Sequence, residues 1–180
     1  MQKTIKKFKS SLAVVVSLLN ASLGILAIYY THLAAYNIAV ILLIAAFCTD
    51  GLDGFCARRF HSASDFGKEI DSLCDLVSFG VAPGFLVASS NPNLVTLLLL
   101  ILFVASGIVW LAKFNVNKFD GYFRGTPITL NGLMIPLAFW FWPDSLPFVI
   151  AILTVTMNSP FKFKKISFKR NKLSHNNINI

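Results

Sequence analysis

Asp50, Asp53, Asp71 and Asp75 are the residues of this chain best placed to do chemistry. Six of the eight acidic residues fall between Asp50 and Asp75, at the end of one apolar segment and the start of the next. Asp50 and Asp53 sit at i and i+3, and Gly54, Ala57 and Arg58 continue that face. Gly67, Asp71 and Asp75 are successive i+4 neighbours. Each set lines one stripe of a helix. A short loop at 61–65 joins the two helices, so they are antiparallel neighbours whose stripes can meet. An ionisable cluster at membrane depth is costly and marks a functional site by default. At an effective dielectric near 20, each pair of carboxylates ~4 Å apart costs on the order of 4 kcal/mol. Either several protonate or cations bind between them. Oxygen-only donors suit hard divalent ions, Mg²⁺ or Mn²⁺, rather than zinc. Two such ions held by four carboxylates would match a site that clamps a phosphoryl group during displacement. Gly54 and Ala57 leave room for a phosphate near the helix backbone, and Arg58 can bind its oxygens in bidentate fashion. A purely structural ion-pair lattice would want more basic partners than Arg58 and Arg59 supply.

The elements that must position these residues are apolar helices. Of 180 residues, 56% are hydrophobic and only 13% charged, where soluble domains carry about a quarter charged residues; the mean hydropathy is +0.68. Several stretches approach the ~20 residues a spanning helix needs. The pattern predicts an all-α, polytopic membrane protein of about six transmembrane helices, at 12–30, 34–60, 66–88, 94–112, 127–141 and 146–157. An N-terminal interfacial helix precedes them in a basic juxtamembrane segment, 1–11. The membrane domain covers 12–160, and a basic, mobile cytoplasmic tail covers 161–180. The first apolar stretch is long and lacks a small-residue cleavage site, so it reads as a span rather than a signal peptide. From Ala35 to Asp50 a helix rises about 22 Å, which puts Asp50 on one side of the ~30 Å hydrocarbon slab.

The net charge of +8 is distributed in basic groups at 3–9, 58–68, 113–124 and 162–172, while the turns at 31–32, 89–93 and 142–144 hold no Lys or Arg. That alternation follows the positive-inside rule. It places both termini and the acidic cluster at the cytoplasmic face, with the basic groups toward anionic lipid headgroups rather than nucleic acid. Cys48, Cys56 and Cys74 lack any metal-ligand spacing and read as small packing residues in a reducing setting, without a disulfide. Asp65 and Glu69 read as capping and solvated residues of the third span, and His32 as a solvated loop residue.

The run Asp50-Gly51-Leu52-Asp53-Gly54-Phe55-Cys56-Ala57-Arg58, followed at fixed spacing by Gly67, Asp71 and Asp75, resembles the signature of the CDP-alcohol phosphotransferases in full. Further stretches look like the phosphatidylserine synthase branch of that family: 20–28, Val77-Ser78-Phe79-Gly80-Val81-Ala82-Pro83, Leu111-Ala112-Lys113-Phe114-Asn115 and Phe123-Arg124-Gly125-Thr126-Pro127. Together they cover most of the chain except the tail. Trp110 departs from the branch, which usually has Arg there. The resemblance implies that the four aspartates hold two divalent cations, Mg²⁺ or Mn²⁺. Asp50 and Asp71 would contact the ions most fully, Asp53 would complete the site, and Asp75 would also serve as the catalytic base. Gly54, Arg58, Ser64 and Asn20 would bind the CDP moiety. Lys113, Asn115 and Arg124 are candidates for binding the acceptor, a role that headgroup contact rivals. A homodimer is also implied.

The expected activity is transfer of the phosphatidyl group from CDP-diacylglycerol to L-serine, with CMP as the leaving group. Other acceptors of the same family (glycerol 3-phosphate, an inositol phosphate, another alcohol) stay open, as does an archaeal ether-lipid donor. A divalent-cation transporter is the rival of a different class. It would carry polar residues to the far membrane face and often repeated halves, and the sequence shows neither.

Overall fold

The computed structural model describes residues 2–60, 65–116, 122–159 and 162–164. Side chains at 2–13, 52–60, 65, 122–124 and 162–164 lie outside the description. The chain is an all-α polytopic membrane protein, with apolar helical passes joined by short turns. Helix α1 is Gln2–His32, α2 Tyr36–Phe60 and α3 Asp65–Asp75. A π-helical turn, Leu76–Val81, leads into α4, Ala82–Ser90. Then come α5, Leu94–Val116, α6, Ile128–Phe141, and α7, Leu146–Met157. Three segments are long and apolar enough to cross a membrane: Val14–His32, Phe66–Ser90 and Leu94–Val116. The last has 23 residues and rises about 34 Å. Three shorter apolar helices, Tyr36–Gly51, Ile128–Phe141 and Pro143–Met157, accompany them.

The structure adds three features to the expected plan. The expected interfacial helix and first span are one unbroken helix, α1. Two three-residue strands, β1 at Tyr122–Arg124 and β2 at Lys162–Lys164, pair antiparallel with Arg124 opposite Lys162. The start of the expected mobile tail is therefore tied to the loop after α5. The third feature is the π turn, and Pro83 accounts for it. In a continuous α-helix the Pro83 ring would meet the carbonyl of Phe79 and offer it no N–H. The wider turn absorbs the mismatch, with the Ala82 N–H donating to the Val77 carbonyl five residues back.

The pass Phe66–Ser90 is the centre of the bundle. Of its most apolar stretch 61% is buried, against 28% for each of the other two long segments. One core cluster joins Ala46, Phe79, Val87, Phe103, Ile128, Ile135 and Ile150; a second joins Ala27, Ala39, Val40, Leu43, Ala82 and Leu86. Leu94, Leu97, Leu98, Ile101 and Leu102 on α5 are exposed. Facing water they would form a contiguous apolar patch of the kind soluble monomers avoid; facing lipid tails they cost nothing.

Two backbone details fix how the helices meet. Gly132 on α6 lies against Phe79, where an added Cβ would come within 2.7 Å of the Phe79 Cα. The α1–α2 corner closes with Ala35 N–H on the Tyr30 carbonyl and Ala34 N–H on the Thr31 carbonyl. That is a Schellman arrangement, and Ala34 adopts φ 56° in the position glycine usually takes. Ala34→Gly is therefore expected to stabilise the protein by about 1 kcal/mol. Gly132→Ala is expected to destabilise it by about 1–3 kcal/mol through overpacking. Thermal unfolding in detergent should show midpoints shifted in opposite directions.

Candidate metal centre

The site is assembled by three helices. The end of α2 brings Asp50, and α3 brings Asp71 and Asp75 one turn apart. One ligand oxygen from each of these three lies within 4.8 Å of the others. Asp50 and Asp71 are half-buried and Asp75 is buried. The two stripes read from the helical period thus meet. Asp53, Gly54 and Arg58 continue α2, with side chains outside the described set, and Ser64 lies outside the described residues.

Helix α1 supplies the third wall, through a face the sequence reading only partly used. Ser17, Asn20, Gly24, Ala27 and Thr31 recur at helical spacing and are all buried, while Leu18, Leu19, Ile25 and Leu26 point outward. The Ser17 hydroxyl donates to Asp71 Oδ1 at 3.1 Å. Asn20 Nδ2 stands 3.5 Å from Asp75 Oδ1. The Ser78 hydroxyl donates to the Asn20 carbonyl at 2.9 Å. At Gly24, an added Cβ would lie 2.8 Å from the Ser78 Cα, so any larger residue would push the helices apart. These contacts ascend together along both chains, 17 with 71, 20 with 75, 24 with 78, as parallel neighbours must. Ser17 escaped the sequence reading. The signal was present as a small and polar stripe on an otherwise apolar helix.

Three carboxylates this close repel by about 3–4 kcal/mol per pair at an effective dielectric near 20 if all are ionised. The oxygen-only donor set, and the N–H and O–H groups that orient two of the three carboxylates from behind, fit a hard divalent cation. Asp50, Asp71 and Asp75 would hold it.

The acceptor candidates are not gathered in one place. Asn115 and Lys113 leave α5 in different directions. Asn115 Nδ2 donates to Glu69 Oε2 at 3.2 Å and Ser72 Oγ at 3.0 Å, tying α5 to the start of α3. Lys113 Nζ donates to Asn158 Oδ1 at 3.3 Å, and Asn158 in turn donates to the Ser106 carbonyl, tying α5 to the end of α7. Glu69, read as a solvated residue, is exposed but serves as the Asn115 acceptor. Arg124 lies in β1. Trp110 is buried and stacks on Phe114 with centroids 5.3 Å apart and planes 8° from parallel; Lys68 Nζ lies 5.4 Å from the Phe114 centroid. An aromatic platform thus stands between α3 and α5 where an arginine was expected from the resemblance. Cys48 is exposed and Cys74 buried, neither in a disulfide, and His32 is exposed at the end of α1.

Comparison with known proteins matches residues 10–159 to the CDP-alcohol phosphatidyltransferase family. The chain belongs to the CDP-alcohol phosphatidyltransferase family. Among its relatives in the family is a CDP-diacylglycerol–serine O-phosphatidyltransferase of Methanocaldococcus jannaschii, 36% identical over 67% of this chain and 56% of that protein. An archaetidylserine synthase of Methanothermobacter thermautotrophicus is 34% identical over 89% of this chain and 73% of its own length. A CDP-diacylglycerol–serine O-phosphatidyltransferase of Bacillus subtilis is 33% identical over 78% of this chain and 82% of its own. The chain therefore spans little more than half of the first relative and most of the other two.

The metal reading makes a quantitative demand on Ser17. Addition of Mn²⁺ is expected to raise the thermal unfolding midpoint of the purified protein. Ser17→Ala should raise the Mn²⁺ concentration needed for half of that effect by about tenfold, the usual cost of losing a partner behind a metal ligand. A Ser17→Ala response identical to that of the unaltered protein would remove the hydroxyl from the site.

Proposed function

We propose that this protein transfers a phosphatidyl group from CDP-diacylglycerol to L-serine, forming phosphatidylserine and CMP. The observation that carries the reading is the meeting of Asp50, Asp71 and Asp75 within a chain matched to the family over residues 10–159. Serine is common to the names of all three relatives above; two name diacylglycerol as the lipid and one archaetidyl. An ether-lipid donor is accordingly the second reading, favoured by the relative from Methanothermobacter thermautotrophicus.

In this reading Asp50, Asp53, Asp71 and Asp75 hold two divalent cations, Mg²⁺ or Mn²⁺. When bound, such cations would supply charge neutralisation for a diphosphate and for the departing CMP. The rest is done by the chain. Gly54 lets the nucleotide approach the α2 backbone, while Arg58 and Ser64 hold its phosphate and sugar portion. Asp75 accepts the proton of the serine hydroxyl, whose oxygen attacks the phosphorus that bears diacylglycerol. The bond from that phosphorus to the CMP oxygen breaks as the new one forms. A carboxylate is a weak base toward an alcohol, so the hydroxyl must be polarised as it binds. Asn115 and Arg124 would meet the serine carboxylate or the lipid headgroups, and Lys113 the headgroups beside α7.

Both termini and the site lie at the cytoplasmic face in this proposal, supported by the basic groups at 3–9, 58–68, 113–124 and 162–172 and by the positive-inside rule. The family resemblance further supports a homodimer. Purified protein supplied with CDP-diacylglycerol, serine and Mn²⁺ should yield phosphatidylserine and CMP by mass spectrometry. A parallel reaction with the ether-linked donor decides the lipid. Asp71→Asn should lower CMP release by at least about 100-fold, beyond the loss typical of groups that only support a metal ligand. Near-normal turnover in that variant would refute the metal assignment.

A further inference from the structure

We infer that Asn20 recognises the ammonium group of the acceptor and so selects a 2-amino alcohol; this rests on the serine-transfer reading above. The resemblance gives Asn20 to the nucleotide, but its position favours another partner. Its side chain is 1% exposed, its carbonyl is taken by the Ser78 hydroxyl, and its amide nitrogen faces Asp75. Its Oδ1 is buried and has no hydrogen-bond partner among the described residues. The amide cannot profitably be turned over, since Oδ1 would then face the Asp75 carboxylate, acceptor against acceptor.

A buried acceptor without a donor is uncommon and costly in a finished protein. The neighbouring groups do not supply one. Ionised carboxylates only accept, the Ser17 hydroxyl donates to Asp71, and the Ser78 hydroxyl donates to the Asn20 backbone. The missing donor therefore arrives with a ligand. Because both arms of an amide branch from one carbon, the group that meets Oδ1 stands beside the group that meets Asp75. In the proposed reaction Asp75 meets the acceptor hydroxyl. An amino group on the carbon next to the hydroxymethyl carbon has the short separation this requires. An acceptor lacking that amine would leave Oδ1 unpaired, and sites built around a buried polar group discriminate strongly against such analogues.

The test compares L-serine with 3-hydroxypropionate, which is serine without its amine, as competing ligands of the purified protein. The unaltered protein should bind serine at least about tenfold more tightly, the scale of one hydrogen bond to a charged group. In Asn20→Ala, serine affinity should fall about 10- to 100-fold while that of 3-hydroxypropionate changes less than about threefold. Because the Asn20 amide stands behind Asp75, the variant should need about tenfold more Mn²⁺ for half of the thermal response, as Ser17→Ala should, while at saturating Mn²⁺ the KM for CDP-diacylglycerol should stay near its original value. A loss shared by both acids at saturating Mn²⁺, or one falling on CDP-diacylglycerol, would overturn the inference in favour of packing, cation or nucleotide contact. Should Asn20→Ala not fold, equal binding of the two acids by the unaltered protein would overturn it by itself. CMP release with serine but no preference for the amine removes this inference alone. Failure of serine as acceptor, with another alcohol turned over, removes the serine reading and this inference with it.

Discussion

Three carboxylates whose oxygens approach within 4.8 Å, at the end of apolar helices in a chain with only 13% charged residues, impose the constraint around which this molecule is organised. Like charges so close, with little water to screen them, repel strongly unless a compensating cation lodges between them. A cation lodged among them would turn the repulsion that drives the helices apart into binding affinity.

Holding such a site requires the helices to be close and their rotations fixed. Helix α1 achieves this through a narrow stripe of small and polar residues. Gly24 admits the Ser78 backbone, and Ser17 and Asn20 then reach the carboxylates of Asp71 and Asp75. The π turn after Asp75 follows from Pro83, and it buries Ser78, Phe79 and Gly80 at the centre of the bundle. Local widening of a helix is common at functional sites. Here it lies directly after the proposed base, where Ser78 can meet α1 and Phe79 can meet Gly132.

Charge asymmetry and lipid exposure connect the site to its substrates. Basic groups flank the acidic motif along the sequence and alternate with apolar stretches that hold no Lys or Arg, and α5 presents an apolar flank where its leucines are exposed. In the proposed reaction a water-soluble acceptor and a lipid-anchored nucleotide would meet near such a boundary. Membership of the CDP-alcohol phosphatidyltransferase family is consistent with that placement. Asn115 and Lys113, two residues apart on α5, show how the same end of the bundle is divided. One ties α5 to α3 beside the metal centre and the other ties it to α7.

Much of this was legible in the sequence, because hydropathy and a 3.6-residue period are local properties. They placed the apolar passes, grouped Asp50 with Asp53 and Asp71 with Asp75, and indicated that the two stripes would meet across a short loop. Ser17 was not legible in that way. Its partner Asp71 is 54 positions away, and which face of α1 turns toward α3 depends on packing rather than on any pattern within α1. The same holds for Trp110, whose stacking on Phe114 beside Lys68 replaces an expected arginine contact, and for the short β1–β2 pairing. The sequence by itself determined the membrane character, the placing of the apolar passes and the carboxylate stripes that could hold a metal, since each is set by composition and spacing along one helix. Only the tertiary structure decided which side chains stand behind those carboxylates and leave Asn20 Oδ1 without a partner, because helix rotation and close approach are settled by contacts between distant segments.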